Sequence, residues 1–325
     1  MRTRRIGGAE VSALGIGAMS FSGFYAPPDR EASFAVLDEA MRLGIDHVDT
    51  ANIYGMGESE ETLGAWMASR GARPFIATKA GITRDPDRPV DNAPAYLEAE
   101  LDGSLRRLGV ERVDLFYAHR LDAAMGVEAA TEALAALVAK GKAAAIGFSE
   151  IAPTTLERAR AIHPVAAVQS EYSLQTRLPE LGLTRACERT GTALVAFSPV
   201  GRGLLTDAPI TRERAAASAF LRDMPRFSEE NMPRNHAASA PLRRIAAEAG
   251  IAAAGLAIAW LLDRSPSVVA IPGTRSVAHL RDLAAGAAFR MTDELRRALD
   301  REMPPGWCHG ARYTEAQAKA PEDYC

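Results

Sequence analysis

Four residues in the first 120 of the chain have the types and spacing for proton transfer: Asp49, Tyr54, Lys79 and His119. Asp49 and Tyr54 stand in Gly44-Ile45-Asp46-His47-Val48-Asp49-Thr50-Ala51-Asn52-Ile53-Tyr54-Gly55, a short apolar run that ends in a carboxylate and reaches a phenol one loop later. Ile76-Ala77-Thr78-Lys79 and Leu115-Phe116-Tyr117-Ala118-His119 repeat the pattern, each a β-type run with a titratable group at its end. A cationic lysine beside a tyrosine favours the phenolate, and a carboxylate keeps that lysine charged and oriented. Tyr54 is therefore expected to carry a lowered pKa and to act as a general acid near neutral pH, within a cluster that titrates as a unit.

Taken singly, each residue has a plainer explanation: the aspartate forms a turn, the lysine is solvated, the histidine fills core. What brings them together is the order of elements. Buried strands are expected at residues 14–19, 45–49, 75–78, 113–117, 143–148, 165–169, 193–197 and 268–271. Helical spacing fills the intervals, with Asp29 capping a helix that stops at Gly44. Strand and helix alternate eight times at about 30-residue intervals, which predicts an α/β fold of one (β/α)8 TIM barrel better than two open sheets. Residues 1–325 are expected as a single domain, with a short strand pair over residues 2–12 turning at Gly7-Gly8. A long irregular lid is expected after the seventh strand to about residue 239, an extra helix after Thr292, and a loose tail over residues 305–325. All eight strands of such a barrel aim their C-terminal ends at one face, where the loops build the site.

Composition narrows the partners. Hydrophobic residues make up 47% and charged residues 24% of 325 residues, ordinary for a chain with a large core. A net charge of -3 and a pI near 6.1 favour neither nucleic acid nor an anionic membrane. No apolar run approaches the ~18 residues of a membrane span, and the basic start lacks the apolar stretch of a signal peptide. A cytoplasmic location and a small-molecule substrate are expected, with oligomeric state open. Cys187, Cys308 and Cys325 have neither metal nor disulfide spacing, and the last two are expected as surface thiols. Gly15-Ile16-Gly17 begins a dinucleotide fingerprint, but Pro27-Pro28 interrupt its strand-then-helix context. His47 and Asp49 face one side of a strand and so could begin a metal site. The remaining histidines fall outside any such pattern, so His47 is expected to pack and no metal is expected.

The Gly44 to Gly55 block, with Ser59-Glu60, resembles the signature of the aldo-keto reductase family. Thr78-Lys79-Ala80, Tyr117-Ala118-His119-Arg120, Ile146-Gly147-Phe148-Ser149-Glu150 and Val168-Gln169-Ser170-Glu171-Tyr172-Ser173 look similar to family blocks. So do Ser198-Pro199-Val200-Gly201-Arg202-Gly203-Leu204-Leu205, Pro225-Arg226-Phe227 and Ile271-Pro272-Gly273-Thr274-Arg275, so that the resemblance runs from residue 4 to about 300. The resemblance implies a bacterial-type, NADP(H)-binding oxidoreductase acting on CH-OH donors, which reduces aldehydes or ketones by reversible hydride transfer. It implies that Tyr54 protonates the carbonyl oxygen, that Lys79 and Asp49 tune it, and that His119 orients the substrate. Ser149 and Gln169 would hold the nicotinamide carboxamide and Phe197 would stack on its ring. Ser198, Val200, Gly201 and Arg202 would line the pyrophosphate. Gly273, Thr274 and Arg275 would hold the 2′-phosphate, with His279 and Asp282 at the same end. The chain departs from the family at Leu283 and Glu150, where asparagine is usual, and at Gln175, where a large aromatic is frequent. The alternative in another class is a non-catalytic NADP-binding sensor or accessory subunit on the same fold, which would bind cofactor without turnover.

Overall fold

The computed structural model describes residues 1–25 and 27–324; Cys325, expected as a surface thiol, lies outside them. The chain opens with an antiparallel hairpin, β1 (Thr3–Ile6) and β2 (Ala9–Ser12). Eight parallel strands then form one sheet in chain order: β3 (Ile16–Gly17), β4 (His47–Asp49), β5 (Phe75–Ala80), β6 (Leu115–Ala118), β7 (Ile146–Ser149), β8 (Val165–Glu171), β9 (Ala193–Phe197) and β10 (Val268–Ala270). Leu14 bridges Ala270 in parallel. Gly15 N–H donates to Ala270 O at 2.8 Å, and Ala270 N–H donates to Ala13 O at 2.9 Å. The sheet thereby closes on itself as the expected barrel, which leaves no edge. Two expected strands start later than their apolar runs, because Val113 and Ala143 make only an isolated bridge before β6 and β7 begin.

Helix ends follow local chemistry. Asp29 accepts from Ala32 N–H at 2.9 Å and caps the helix Arg30–Arg42, as the sequence predicts. Thr292 caps Asp293–Glu302 in the same way at 3.2 Å, satisfying donors that a helix start leaves unpaired. Gly109 ends Pro94–Leu108 at φ 68°, the left-handed turn that favours glycine.

The core lies in two layers. Inside the barrel, Ala77, Leu115, Tyr117, Ala167, Val195 and Val269 fill the lumen, with Ile6 and Val11 of the hairpin packed into the same cluster. Between strands and helices runs a second and larger apolar layer that includes Trp66, Phe116, Phe148 and Trp260. Among the described residues no single helix is long and apolar enough to cross a membrane.

The section after β9 is more ordered than expected. It holds helices Arg212–Ala217 and Asn231–Ala238 and a turn at Pro225–Phe227, packed on a small core of Leu204, Ala215, Leu221, Met224, Phe227 and Met232. Its apolar residues serve several short elements, none long enough to display a period in the sequence.

Candidate active site

Asp49 ends β4, Lys79 lies near the end of β5, and His119 follows β6 directly, so adjacent strands bring the three to one mouth. Lys79 and Asp49 are 0% and 2% exposed and form an ion pair through Lys79 Nζ and Asp49 Oδ1. Lys79 Nζ also donates to Thr50 O at 2.7 Å. The same ammonium stands 5.1 Å from the centre of the Tyr54 ring. On another side, Tyr54 meets His119 edge to face, with ring centres 5.8 Å apart, and Phe24 at 6.0 Å. The four residues singled out in the sequence do meet.

Their electrostatics correct one expectation. Burial raises the Tyr54 pKa above the ordinary tyrosine value; Lys79 and Arg120 act to lower it, but burial wins. Tyr54 is therefore a phenol across the neutral range, poised to donate a proton, and Lys79 limits the cost of the phenolate left behind. Burial also pulls the Lys79 ammonium down, yet Asp49 and Tyr54 outweigh it and hold Lys79 above its usual value. Burial, with Arg120 and Lys79, drives His119 well below its ordinary pKa. A neutral imidazole at this position can orient a substrate oxygen without competing as the acid.

A second set of buried groups buttresses the first. Thr50 and Ser59 share a hydrogen bond at 2.8 Å, and Ser59 donates to Ala18 O at 2.8 Å. Thr78 donates to Glu60, which pairs with Arg107 at 2.7 Å. The Ser59-Glu60 block thus ties the loop after β4 to β5 and to the helix Pro94–Leu108. His47 packs against Phe75 edge to face at 5.3 Å, with both ring nitrogens unpartnered, and Asp49 turns to Lys79 instead.

Residues expected at a dinucleotide lie along the same mouth. Ser149 ends β7 and its hydroxyl accepts from Arg120 at 3.1 Å. Gln169 of β8 donates from Nε2 to Asp49 Oδ2 at 2.8 Å. Phe197 ends β9, partly exposed, and leads into a turn in which Ser198, Gly201 and Arg202 all have positive φ; Val200 stands within it. Positive φ at non-glycine residues costs about 1–3 kcal/mol each and persists where surroundings enforce it. Past β10, the Thr274 carbonyl accepts from Ser20 and Gly273 is exposed beside Gly17. Arg275 donates to Pro27 O. Ser276 caps the 12-residue helix Val277–Ala288 by accepting from His279 N–H at 3.3 Å. A helix start beside a guanidinium suits a phosphate, so this end of the mouth fits the implied 2′-phosphate. His279 and Asp282 lie exposed on that helix, whereas Leu283 turns inward and is buried in the core.

Arg202 does not fit its expected place. Its side chain is 4% exposed and donates to Glu171 Oε2 at 2.7 Å, so the guanidinium serves a buried ion network rather than an open pyrophosphate groove. Glu171 also accepts from Arg226 at 3.1 Å and Thr176 at 2.8 Å. Burial would raise the Glu171 carboxyl, but Arg202, Arg226 and Arg312 bring it below the ordinary value.

The tail expected to be loose is a strap across this mouth. Trp307 Nε1 donates to Leu174 O at 2.8 Å, and His309 N–H donates to Asn235 Oδ1 at 2.8 Å. Gln175 Nε2 reaches Cys308 Sγ at 3.1 Å, so Cys308 is a half-buried contact rather than a surface thiol. Arg312 pairs with Glu150 at 2.5 Å, and Tyr313 packs under Arg202 at 5.2 Å. Beyond a short capped helix, Glu315–Ala318, the Glu322 carboxylate accepts from Ala152 N–H at 2.7 Å and Tyr324 donates to Ser170 at 2.9 Å. Glu150, whose φ is a left-handed 59°, therefore anchors the strap. Arg312→Ala should leave that buried carboxylate without its ion partner, at about 3 kcal/mol or more. Hydrogen exchange should then quicken about tenfold or more over residues 307–324, by the scale on which 1.4 kcal/mol is tenfold, while the barrel strands keep their protection; unchanged exchange there would show that Arg312 is not the anchor.

Sequence reasoning missed Arg107 and Arg312 and gave no role to Glu60 and Glu171, although both stand in the blocks quoted above. Two-residue alternation along β8 places Glu171 on the same face as Gln169.

Known proteins resemble the chain over nearly its whole length. The family model described as Aldo/keto reductase family matches residues 13–301. A Schizosaccharomyces pombe protein, named aldo-keto reductase yakc with NADP(+) in the name, is 36% identical, covering 94% of this chain and 95% of its own. A Strobilurus tenacellus protein named aldo-keto reductase str7 is 35% identical, covering 94% of each chain. Among solved structures, a glycerol dehydrogenase from Gluconobacter oxydans superposes with a TM-score of 0.81 at 27% identity, covering 94% of this chain and 96% of its own. A thermostable aldo-keto reductase in complex with epalrestat gives a TM-score of 0.72 at 28% identity, covering 93% and 100%.

Proposed function

We propose, from the premise that the chain belongs to the aldo/keto reductase family, that it reduces an aldehyde or ketone to the alcohol with NADPH and with Tyr54 as the acid. NADPH, when bound, supplies the hydride. The observation that carries the proposal is the Tyr54 phenol held between the buried Lys79–Asp49 pair and a neutral His119.

The geometry supports the following division of labour. His119 orients the carbonyl oxygen toward the Tyr54 hydroxyl, and Tyr54 gives up its proton as negative charge develops on that oxygen. Lys79, kept cationic by Asp49, stabilises the phenolate. Phe197 offers a flat apolar surface at the end of β9, Ser149 offers a hydroxyl at the end of β7, and Arg275 with the Ser276-capped helix offers a phosphate site. NADP(+) in the name of the S. pombe relative supports NADPH over NADH.

The test is fluorescence titration with NADPH, with turnover of 4-nitrobenzaldehyde in parallel. Wild type should bind NADPH and turn over the aldehyde. Arg275→Ala should weaken NADPH binding by about tenfold or more, the loss of one charge-assisted phosphate contact, with little change for NADH. Binding without turnover on a panel of carbonyls would favour a cofactor-binding sensor on this fold. No binding of either nucleotide would sink both readings.

A further inference from the structure

Resting on the carbonyl-reductase function above, we infer that Gln169 is a positioning residue for the acid, acting on Tyr54 through Asp49 and Lys79, in addition to any hold on a carboxamide. The two carboxylate oxygens of Asp49 are held from opposite sides. Oδ1 takes the ammonium of Lys79 on β5, and Oδ2 takes the amide N–H of Gln169 on β8 at 2.8 Å. Asp49 and Gln169 are 2% and 3% exposed, so water does not stand in for either donor. The Tyr117 hydroxyl is buried close to both groups but makes no hydrogen bond to Asp49. Its ring is kept close by Gly147, where a Cβ would fall 2.5 Å from Tyr117 and 2.8 Å from Ala167 O.

A carboxylate shut away from water stays ionised only while its oxygens keep donors. Without the Gln169 N–H, the Asp49 carboxylate loses one of its two side-chain donors, and nothing else fixes the orientation in which its Oδ1 meets the Lys79 ammonium. Tyr54 then has the cation 5.1 Å from its ring less firmly placed and becomes a poorer acid. Beside Lys79, the titratable groups that feel Asp49 are Tyr54, Tyr117 and His47. Burial keeps both phenols protonated and His47 neutral, while Arg120 acts on Tyr54 and His119 from outside the pair. Lys79 is therefore the cation that Gln169 positions through Asp49. The same amide retains its carbonyl and its second N–H, so a carboxamide contact and the Asp49 contact are compatible.

Gln169→Leu and Gln169→Glu separate the two roles. Three quantities are measured: NADPH affinity by fluorescence, kcat at saturating NADPH against pH, and the melting temperature of the cofactor-free chain against pH. Gln169→Leu should lower kcat at saturation by about 10- to 100-fold, within the range set by proton-transfer efficiency, while the NADPH Kd moves by less than about threefold, a fraction of the tenfold step that 1.4 kcal/mol gives. The carboxyl that Gln169→Glu introduces can, while protonated, donate to Asp49 as the amide does. That variant should therefore match wild type in acid and lose kcat as pH rises through the raised pKa of the new carboxyl. The melting temperature should fall over the same interval, since a carboxyl raised above its unfolded value gives stability that is present in acid and lost with rising pH. In an Asp49→Asn background that interval should move down by about one pH unit, because the like charge is gone. A tenfold weaker Kd with wild-type kcat and pH profile at saturation would overturn the inference and leave a carboxamide role alone. If wild type shows no turnover, the cofactor-free melting series still decides: an interval that does not respond to Asp49→Asn overturns the contact with Asp49.

Discussion

Tyr54→Phe should lose about 10²- to 10⁴-fold in kcat for carbonyl reduction, the usual contribution of a positioned acid, while NADPH affinity stays close to that of the wild type. The substitution removes one oxygen and keeps the ring that packs against His119 and Phe24. A structural disturbance would lower the melting temperature as well, and little change is expected there. The pH profile adds a signed check. Burial sets the Tyr54 pKa above the ordinary tyrosine value, so the wild-type reduction rate should be flat through neutrality and fall only as pH rises through that raised value. Alcohol oxidation needs the phenolate and should increase with pH over the same interval. If Tyr54→Phe retained more than about a tenth of wild-type kcat, less than the smallest loss a positioned acid normally causes, Tyr54 would not be the acid.

Lys79→Met should be the most destabilising substitution at the site as well as an inactivating one. It leaves Asp49 buried with Gln169 as its remaining side-chain donor, and removing one partner of a buried ion pair costs about 3–5 kcal/mol. The direction with pH is fixed. In wild type the Lys79 pKa is raised, so the stability it contributes is complete below the unfolded lysine value, about 10.4, and does not vary between acid and neutral pH. In the variant the buried carboxylate has lost its cation, and a lone buried charge costs most where it is ionised. Calorimetric melting at several pH values should show the gap between wild type and Lys79→Met widening toward neutrality. Asp49→Asn combined with Lys79→Met should recover part of the stability, because no lone charge remains buried, and none of the activity. A gap independent of pH would mean that Asp49 reaches water when Lys79 is gone.

Much of this site was legible in the chain because its acid cluster is carried by strand ends. A β-type run that stops at Asp49, Lys79 or His119 states where the side chain will be once the barrel closes, and the eightfold alternation of elements states that it closes. What could not be read is whatever depends on pairings between distant segments. Arg202 sits in a glycine-flanked turn that suits a phosphate, and nothing nearby in sequence warns that Glu171 occupies it. Glu150 is met by Arg312, a pairing visible only when both segments are in place. The expected direction of the Tyr54 shift failed for a related cause. The charge of Lys79 could be read from residue type, but the burial that outweighs it depends on packing from elsewhere in the chain, such as Phe24 and His119 against the Tyr54 ring.

The two ends of the barrel also differ in when they can form during synthesis. The hairpin that plugs the lower lumen with Ile6 and Val11 leaves the ribosome before any barrel strand and waits only for strands to assemble around it. The mouth waits for residues 312–324, because Glu150, Ala152 and Ser170 are met by Arg312, Glu322 and Tyr324. Closing so long a loop adds little free energy beyond a shorter one, but it sets the sequence of events. A nascent barrel has its floor early, and its reactive end stays open until the strap has emerged. A product stalled or truncated before Arg312 would thus hold a well-folded barrel in which Tyr54 and Lys79 are in place and the chamber around them is not.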